Sequence, residues 1–198
     1  MNERVERVDE QDRILAVVDR EEAVRRGWLH RVATTVCRDR QGRVLVYRRP
    51  EHRARFPGRY EVMFGGAVEV GESYEQAASR ELAEEMGVRA HVRPVCRFLC
   101  RGAIGPYWLG VHEAVITGEL TPDPSEVAWY GWLTEPELRE AVRQWPFVPD
   151  GLEAYGRYLA RRDPSVMAVD DGVALAAGDH PLVDRGREQE GDDEAAEQ

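Results

Sequence analysis

The feature that most constrains this chain is the stretch from Gly66 to Val88, where glycines, glutamates and one arginine recur at helical intervals. Ser73 followed three residues later by Gln76 makes a capping box, which signals a helix start. Gly87 stands where a left-handed residue ends a helix, with apolar Val88 after it. The spacing predicts a helix over Tyr74–Met86 with both ends specified locally. Glu81, Glu84 and Glu85 sit at i, i+3 and i+4 on that helix and share one face. Arg80 projects beside them, and the four positions span an arc of about 140°. Glu72, in the loop before the helix, can fold back toward the same face.

Clustered carboxylates shift one another's pKa values, so this face is electrostatically expensive when bare. A hard divalent cation removes the cost, and Mg²⁺ takes carboxylate oxygens while keeping water and phosphate as other ligands. Such an ion neutralises diphosphate charge and activates a water, and a spare carboxylate can act as general base. The competing reading is a solvated acidic face. Exposed acids of that kind are usually laced with Lys, and this chain has none, since all 27 of its cationic side chains are Arg. The acids also follow a glycine-spaced loop, residues 65–71, whose Gly65 and Gly66 can bring backbone close to a substrate.

The full pattern is Gly66-x5-Glu72-x7-Arg80-Glu81-Leu82-x-Glu84-Glu85-x-Gly87-Val88. It resembles the Nudix box at every fixed position, a coincidence expected about once in 10⁹ starting points from average residue usage. The chain is therefore similar to the Nudix hydrolases. The resemblance implies an α/β (α+β) fold, an α–β–α sandwich with a mixed sheet and a metal-binding loop–helix–loop. It implies Mg²⁺- or Mn²⁺-dependent hydrolysis of a nucleoside diphosphate linked to another moiety. Glu81, Glu84 and Glu85 would be metal ligands and Arg80 would orient the glutamates. Relatives differ over which glutamate is the base. Glu126 stands where many carry a late functional glutamate, although an ordinary loop acid is an equal alternative. Some relatives are dimers, so a homodimer is also implied.

A narrower resemblance joins Leu29-His30-Arg31, Val46-Tyr47-Arg48-Arg49 and Phe56-Pro57-Gly58-Arg59-Tyr60 to the branch containing isopentenyl diphosphate isomerase. That enzyme's cysteine and one of its histidine ligands align with Gly65 and Ala67 here. The departure argues against isomerisation and for the isomerase-like bacterial hydrolases. His30 matches another histidine ligand of the isomerase, yet a lone strand histidine is more often packed than metal-bound. A repurposed ligand-sensing module is the remaining alternative, though such descendants usually lose box glutamates.

Arg48, Arg49 and Arg55 flank the approach to this face. Arginine pairs bidentately with phosphate oxygens, so all three are substrate-contact candidates, with salt bridging as the competing role. Phe98, Tyr107, Trp108, Trp129, Trp132 and Trp145 could stack a base, but strand aromatics more often build the core.

Around the box, residues 14–18 read as a strand and 19–26 as a short helix. Residues 30–37 and 44–47 read as a hairpin about Asp39-Arg40-Gln41-Gly42, and 60–64 as a further strand. Strands are expected at 91–100, 107–117 and 127–133, and helices at 135–144 and 151–161. This divides the chain into an N-terminal extension (1–29), a hydrolase domain (30–162) and an acidic tail (163–198) expected to be disordered. The net charge of −10 is a tail property, because eleven acids and two arginines lie in 163–198. No basic stripe supports nucleic-acid binding, and no apolar run approaches membrane-spanning length. Three cysteines and no apolar leader point to a cytoplasmic protein with reduced thiols, and Cys96-x3-Cys100 lacks the partners a zinc clip needs.

Overall fold

The computed structural model describes residues 3–162, so the acidic tail lies outside the described residues. A seven-stranded mixed sheet forms the middle layer. Its strands are β3 (Arg31–Arg38), β4 (Val44–Arg48), β5 (Tyr60–Glu61), β6 (Phe64–Ala67), β7 (Val92–Gly102), β8 (Gly105–Val115) and β9 (Trp129–Leu133). Strand β3 is central: it runs parallel to β8 over its whole length and antiparallel to β6, while β7 turns back into β8 as an antiparallel pair.

The sheet is buried on both faces, and residue alternation sorts its side chains. Ala33 and Cys37 of β3, with Leu45 and Tyr47 of β4, pack under α2 (Tyr74–Met86), which presents Ala77, Ala78, Leu82 and Met86. Val36, Val44 and Val46 face the other way, toward α3 (Glu135–Gln144) and α4 (Pro149–Arg162), where Leu138, Ala141, Tyr155 and Tyr158 close the second core. The result is the α–β–α sandwich expected from the sequence. A buried ionic knot supports the second core: Arg38 donates to the Tyr158 hydroxyl at 2.7 Å and to Glu135 at 2.5 Å.

Several expectations need correction. The hairpin expected between β3 and β4 closes only at its turn, through the single pair Arg38↔Val44. Beyond the turn β3 is already flanked by β6 and β8, so β4 diverges and pairs with β5 and β9 instead. The strand expected over 60–64 is two short strands, and the glycines expected in a loop belong partly to β6, which carries Gly65, Gly66 and Ala67 in register with β3. The charged start also contains a strand that its composition hides: β1 (Arg4–Val8) pairs with β2 (Ile14–Asp19), followed by α1 (Arg20–Arg25).

This N-terminal unit docks firmly on the sheet. Arg31 of β3 reaches Glu6 at 2.9 Å and Asp12 at 2.6 Å, and Val5 packs with Ala23 and Ala67. No helix among the described residues is long and apolar enough to cross a membrane.

Candidate active site

Helix α2 is placed by its own caps. Ser73 accepts from Gln76 N while Gln76 accepts from Ser73 N, and Gly87 adopts φ 64° with its N–H on the Ala83 carbonyl. The buried Ala77, Ala78, Leu82 and Met86 stripe turns one side to the sheet, which leaves Arg80, Glu81, Glu84 and Glu85 at the edge where α2 meets β6. Thr121 N and Asp123 N then bond the carbonyls of Met86 and Glu85, at 2.9 Å each, so the following loop is tied to the end of α2 and carries Glu126 inward.

These elements wall a cavity of about 920 Å³, within the range of small-molecule sites. Gly65, Gly66, Arg80, Glu81, Glu84, Glu85 and Glu126 all line it. Close approach is felt at two of these positions, against backbone at Gly65 and against the movable end of the Glu81 side chain at Gly66. A Cβ on Gly65 would collide with the Ala33 carbonyl oxygen, so no side chain, a thiol included, fits there without backbone movement. A Cβ on Gly66 would lie 2.5 Å from Glu81 Oε1.

Arg80 organises the box. Its Nη1 donates to Glu81 at 2.8 Å and to Glu84 at 3.2 Å, and its Nη2 to the Ala67 carbonyl at 3.0 Å. Glu72 folds back onto it, and the Arg80 hydrogen bond holds the Glu72 carboxyl below its usual range. Leu82 and Val88 are buried in the core under the sheet, so they serve packing.

Glu85 differs from its neighbours. It is 7% exposed, and its Oε2 is buried with no hydrogen-bond partner, while the Gly65 amide faces the carboxylate. Burial, then the charges of Glu81 and Glu126, push its pKa well up; burial also raises that of Glu81. Among the described residues no three Asp, Glu, His or Cys side chains stand ready to hold one ion, because Arg80 draws Glu81 and Glu84 to its guanidinium. The donor set nevertheless suits a hard cation: an orphaned buried carboxylate oxygen beside two further carboxylates is the chemistry such an ion satisfies.

Of the three arginines singled out from sequence, Arg49 and Arg55 line the cavity. Arg48 turns to the Gly58 carbonyl, 3.0 Å away, and to Glu51, which is the bridging role. Burial and the nearby Arg20 lower the pKa of Arg55, so cationic charge is crowded on this wall. Two cations escaped the sequence reading. Arg53 pairs with Glu126 at 2.5 Å, and Arg20 of α1 enters the wall from the N-terminal unit, held by Glu3 at 2.6 Å. Arg53 was findable beside Arg49 and Arg55, whereas nothing local marked Arg20. His30 is buried against the Trp28 carbonyl, 3.3 Å away, and lies off the cavity wall. Of the six aromatics considered, Tyr107 lines the cavity; Trp129 is 42% exposed and packs edge-on with Tyr60 and Trp145.

Comparisons with known proteins bear on the family and the fold. The sequence profile of the NUDIX domain matches residues 28–151. An uncharacterized Nudix hydrolase of Streptomyces coelicolor is 42% identical over 161 residues, which cover 80% of this chain and 89% of that protein. Another from Pseudomonas aeruginosa is 36% identical, over 77% of this chain and 90% of its own length. The crystal structure of DR0079 from Deinococcus radiodurans superposes with a TM-score of 0.68 at 27% identity, over 79% of this chain and 99% of that one.

Proposed function

The chain belongs to the Nudix hydrolase family, and from that premise we propose that it hydrolyses a nucleoside diphosphate linked to another moiety, with Mg²⁺ or Mn²⁺ as cofactor. The family acts on diphosphate bonds; the nucleoside substrate and the metal are our reading. The observation that carries it is Glu85 Oε2, buried and unpartnered beside Glu81 and Glu126. A buried carboxylate without a counter-charge is unstable unless a cation or proton joins it.

Glu81, Glu84 and Glu85 would hold the ion. When bound, it neutralises the diphosphate oxygens and makes the attacking water more acidic. Arg80, anchored by Glu72 and the Ala67 carbonyl, positions Glu81 and Glu84. Arg49 and Arg55 bind phosphate oxygens, for which guanidinium geometry is suited. The backbone of Gly65 and Gly66 lets the substrate approach β6 closely. Glu126, held by Arg53 on the cavity wall, takes the proton from the attacking water. The phosphorus–oxygen bond between the two phosphates breaks and releases two phosphate-bearing products.

The test is a phosphate-release screen with Mg²⁺ or Mn²⁺ over sugar nucleotides, dinucleotides, nucleoside triphosphates, coenzyme A and isoprenoid diphosphates, with Glu85→Gln as the blank. Turnover lost in that variant supports the reading. Tight binding with no hydrolysis of any compound would favour a ligand-sensing role, and formation of dimethylallyl diphosphate would favour isomerisation.

A further inference from the structure

Strands β1 and β2 and helix α1 lie outside the stretch that matches the NUDIX profile, yet β1 holds the loop between β6 and α2 that carries Glu72. Glu6 of β1 is 8% exposed and gives its two carboxylate oxygens to different partners. Oε2 accepts from Arg31 Nη1 on β3 at 2.9 Å, and Oε1 accepts from Gly71 N in the loop at 3.2 Å. One residue earlier, Val5 forms an antiparallel bridge with Glu69. Inside the loop, Glu72 N donates to the Glu69 carbonyl at 3.1 Å, and Glu69 N donates to Glu72 Oε2 at 3.0 Å. The Glu72 carboxylate fixed in this way is the one that Arg80 grips.

We propose that Glu6 is a positioning residue for the metal-binding face of α2, acting through this loop. The path is continuous from the central strand. Arg31 holds Glu6, Glu6 holds the Gly71 amide beside Glu72, Glu72 holds Arg80, and Arg80 holds Glu81 and Glu84. The inference rests on the diphosphate reading, in which those glutamates hold the ion.

Docking of the N-terminal unit does not by itself account for this arrangement. Asp12 already takes Arg31 through its side chain at 2.6 Å and its carbonyl at 2.7 Å, and Val5 packs with Ala23 and Ala67. For docking, the strongest use of Glu6 is a bidentate fork with both oxygens on the Arg31 guanidinium. Glu6 instead gives one oxygen to a backbone amide in an exposed turn, residues 69–71. Gly71 stands there at φ 83°, and glycine is the residue whose backbone is least restrained by its own sterics. An anchor on β1 therefore supplies the restraint that the turn lacks. Outer partners that orient metal ligands change metal affinity by about 10–100-fold when they are removed.

Two readouts on the full chain test this without turnover. Calorimetry of the metal-free protein with Mn²⁺ reads the affinity of the glutamate face. Proton–nitrogen NMR of the metal-free protein reads the Arg80 Nε–H, which donates to Glu72. Glu6→Ala should weaken Mn²⁺ binding about tenfold or more and shift the Arg80 signal. Glu6→Gln keeps a side-chain oxygen for the Gly71 amide and should restore both. Val8→Ala removes buried apolar volume from β1, where Val8 N bonds the Leu29 carbonyl. It should lower the melting temperature and leave both readouts at wild-type values. Given a wild type that binds Mn²⁺, unchanged affinity in Glu6→Ala overturns the proposal. Equal weakening in Val8→Ala, or weakening of about tenfold in Glu6→Gln, also overturns it. A wild type that binds no Mn²⁺, while the Arg80 signal still moves in Glu6→Ala, overturns the metal reading alone.

Discussion

Arg80 grips Glu72 through both carboxylate oxygens, Nε to Oε1 and Nη2 to Oε2, each at 3.0 Å. This bidentate pair joins the loop before α2 to a position nearly two turns inside it. Through Arg80 it also sets where Glu81 and Glu84 point. Arg80→Lys keeps the charge but cannot form the fork. Turnover should fall by about 10²-fold, the scale of loss expected when a catalytic group shifts by about 1 Å. Circular dichroism should stay unchanged. Full activity in Arg80→Lys would show that the fork is dispensable.

Glu85→Gln removes a buried carboxylate whose Oε2 has no partner. The metal-free variant should melt no lower than the parent, because the carboxyl it replaces must either be buried as a charge or take up a proton on folding, and both oppose folding at neutral pH. Its hydrolytic rate should drop by at least about 10²-fold, since metal-ion charge stabilisation is worth several kcal/mol. Thermal melts and phosphate release check the two halves, and normal turnover would refute the metal assignment.

Glu61 gives a pH signature. Its folded-state pKa of about 8 lies above the ordinary carboxylate value. The folded protein therefore holds a proton that the unfolded chain has released, and stability falls as pH rises from the carboxylate range to about 8. The contribution is on the order of 1 kcal/mol per pH unit, flattening above pH 8. Glu81 and Glu85 act in the same direction, so the difference between wild type and Glu61→Gln isolates Glu61. Denaturant unfolding at pH 6, 7 and 8 should show the gap widening in favour of Glu61→Gln.

Gly65→Ala would push a methyl group into the Ala33 carbonyl oxygen across the β3–β6 ladder. Backbone on both sides has little room to move, so the substitution should cost about 1–3 kcal/mol. Urea unfolding measures this, and a neutral result would mean that the strands are further apart than described.

Arg55→Ala and Arg48→Ala should separate in kinetics. Arg55 lines the cavity, whereas Arg48 is spent on Gly58 and Glu51. Loss of Arg55 should raise KM about tenfold or more, as expected for a charged hydrogen bond worth about 1.5–3 kcal/mol. Arg48→Ala should leave KM near the wild-type value, and equal effects from both would contradict this division.

The sequence by itself determined what depends on near neighbours. Helix α2 was legible to the residue because Ser73, Gln76 and Gly87 set its ends through bonds spanning three or four positions. The shared face of Arg80, Glu81, Glu84 and Glu85 follows from helical periodicity alone, and the sandwich follows from its family pattern together with apolar runs in β3 and β4. Tertiary structure decided what depends on contacts distant along the chain. Arg38 and Val44 still pair at the turn, but whether their strands stay together depended on β6 and β8 competing for β3. Arg20 joins the cavity wall because β1 and β2 dock on β3 through Glu6, Asp12 and Arg31, a placement with no local signal. Glu61 reads in sequence as an ordinary strand acid. Its unusual proton affinity arises only when α4 places Gly151 and Asp150 against it and excludes water, because desolvation is a property of the packed interior rather than of the residue.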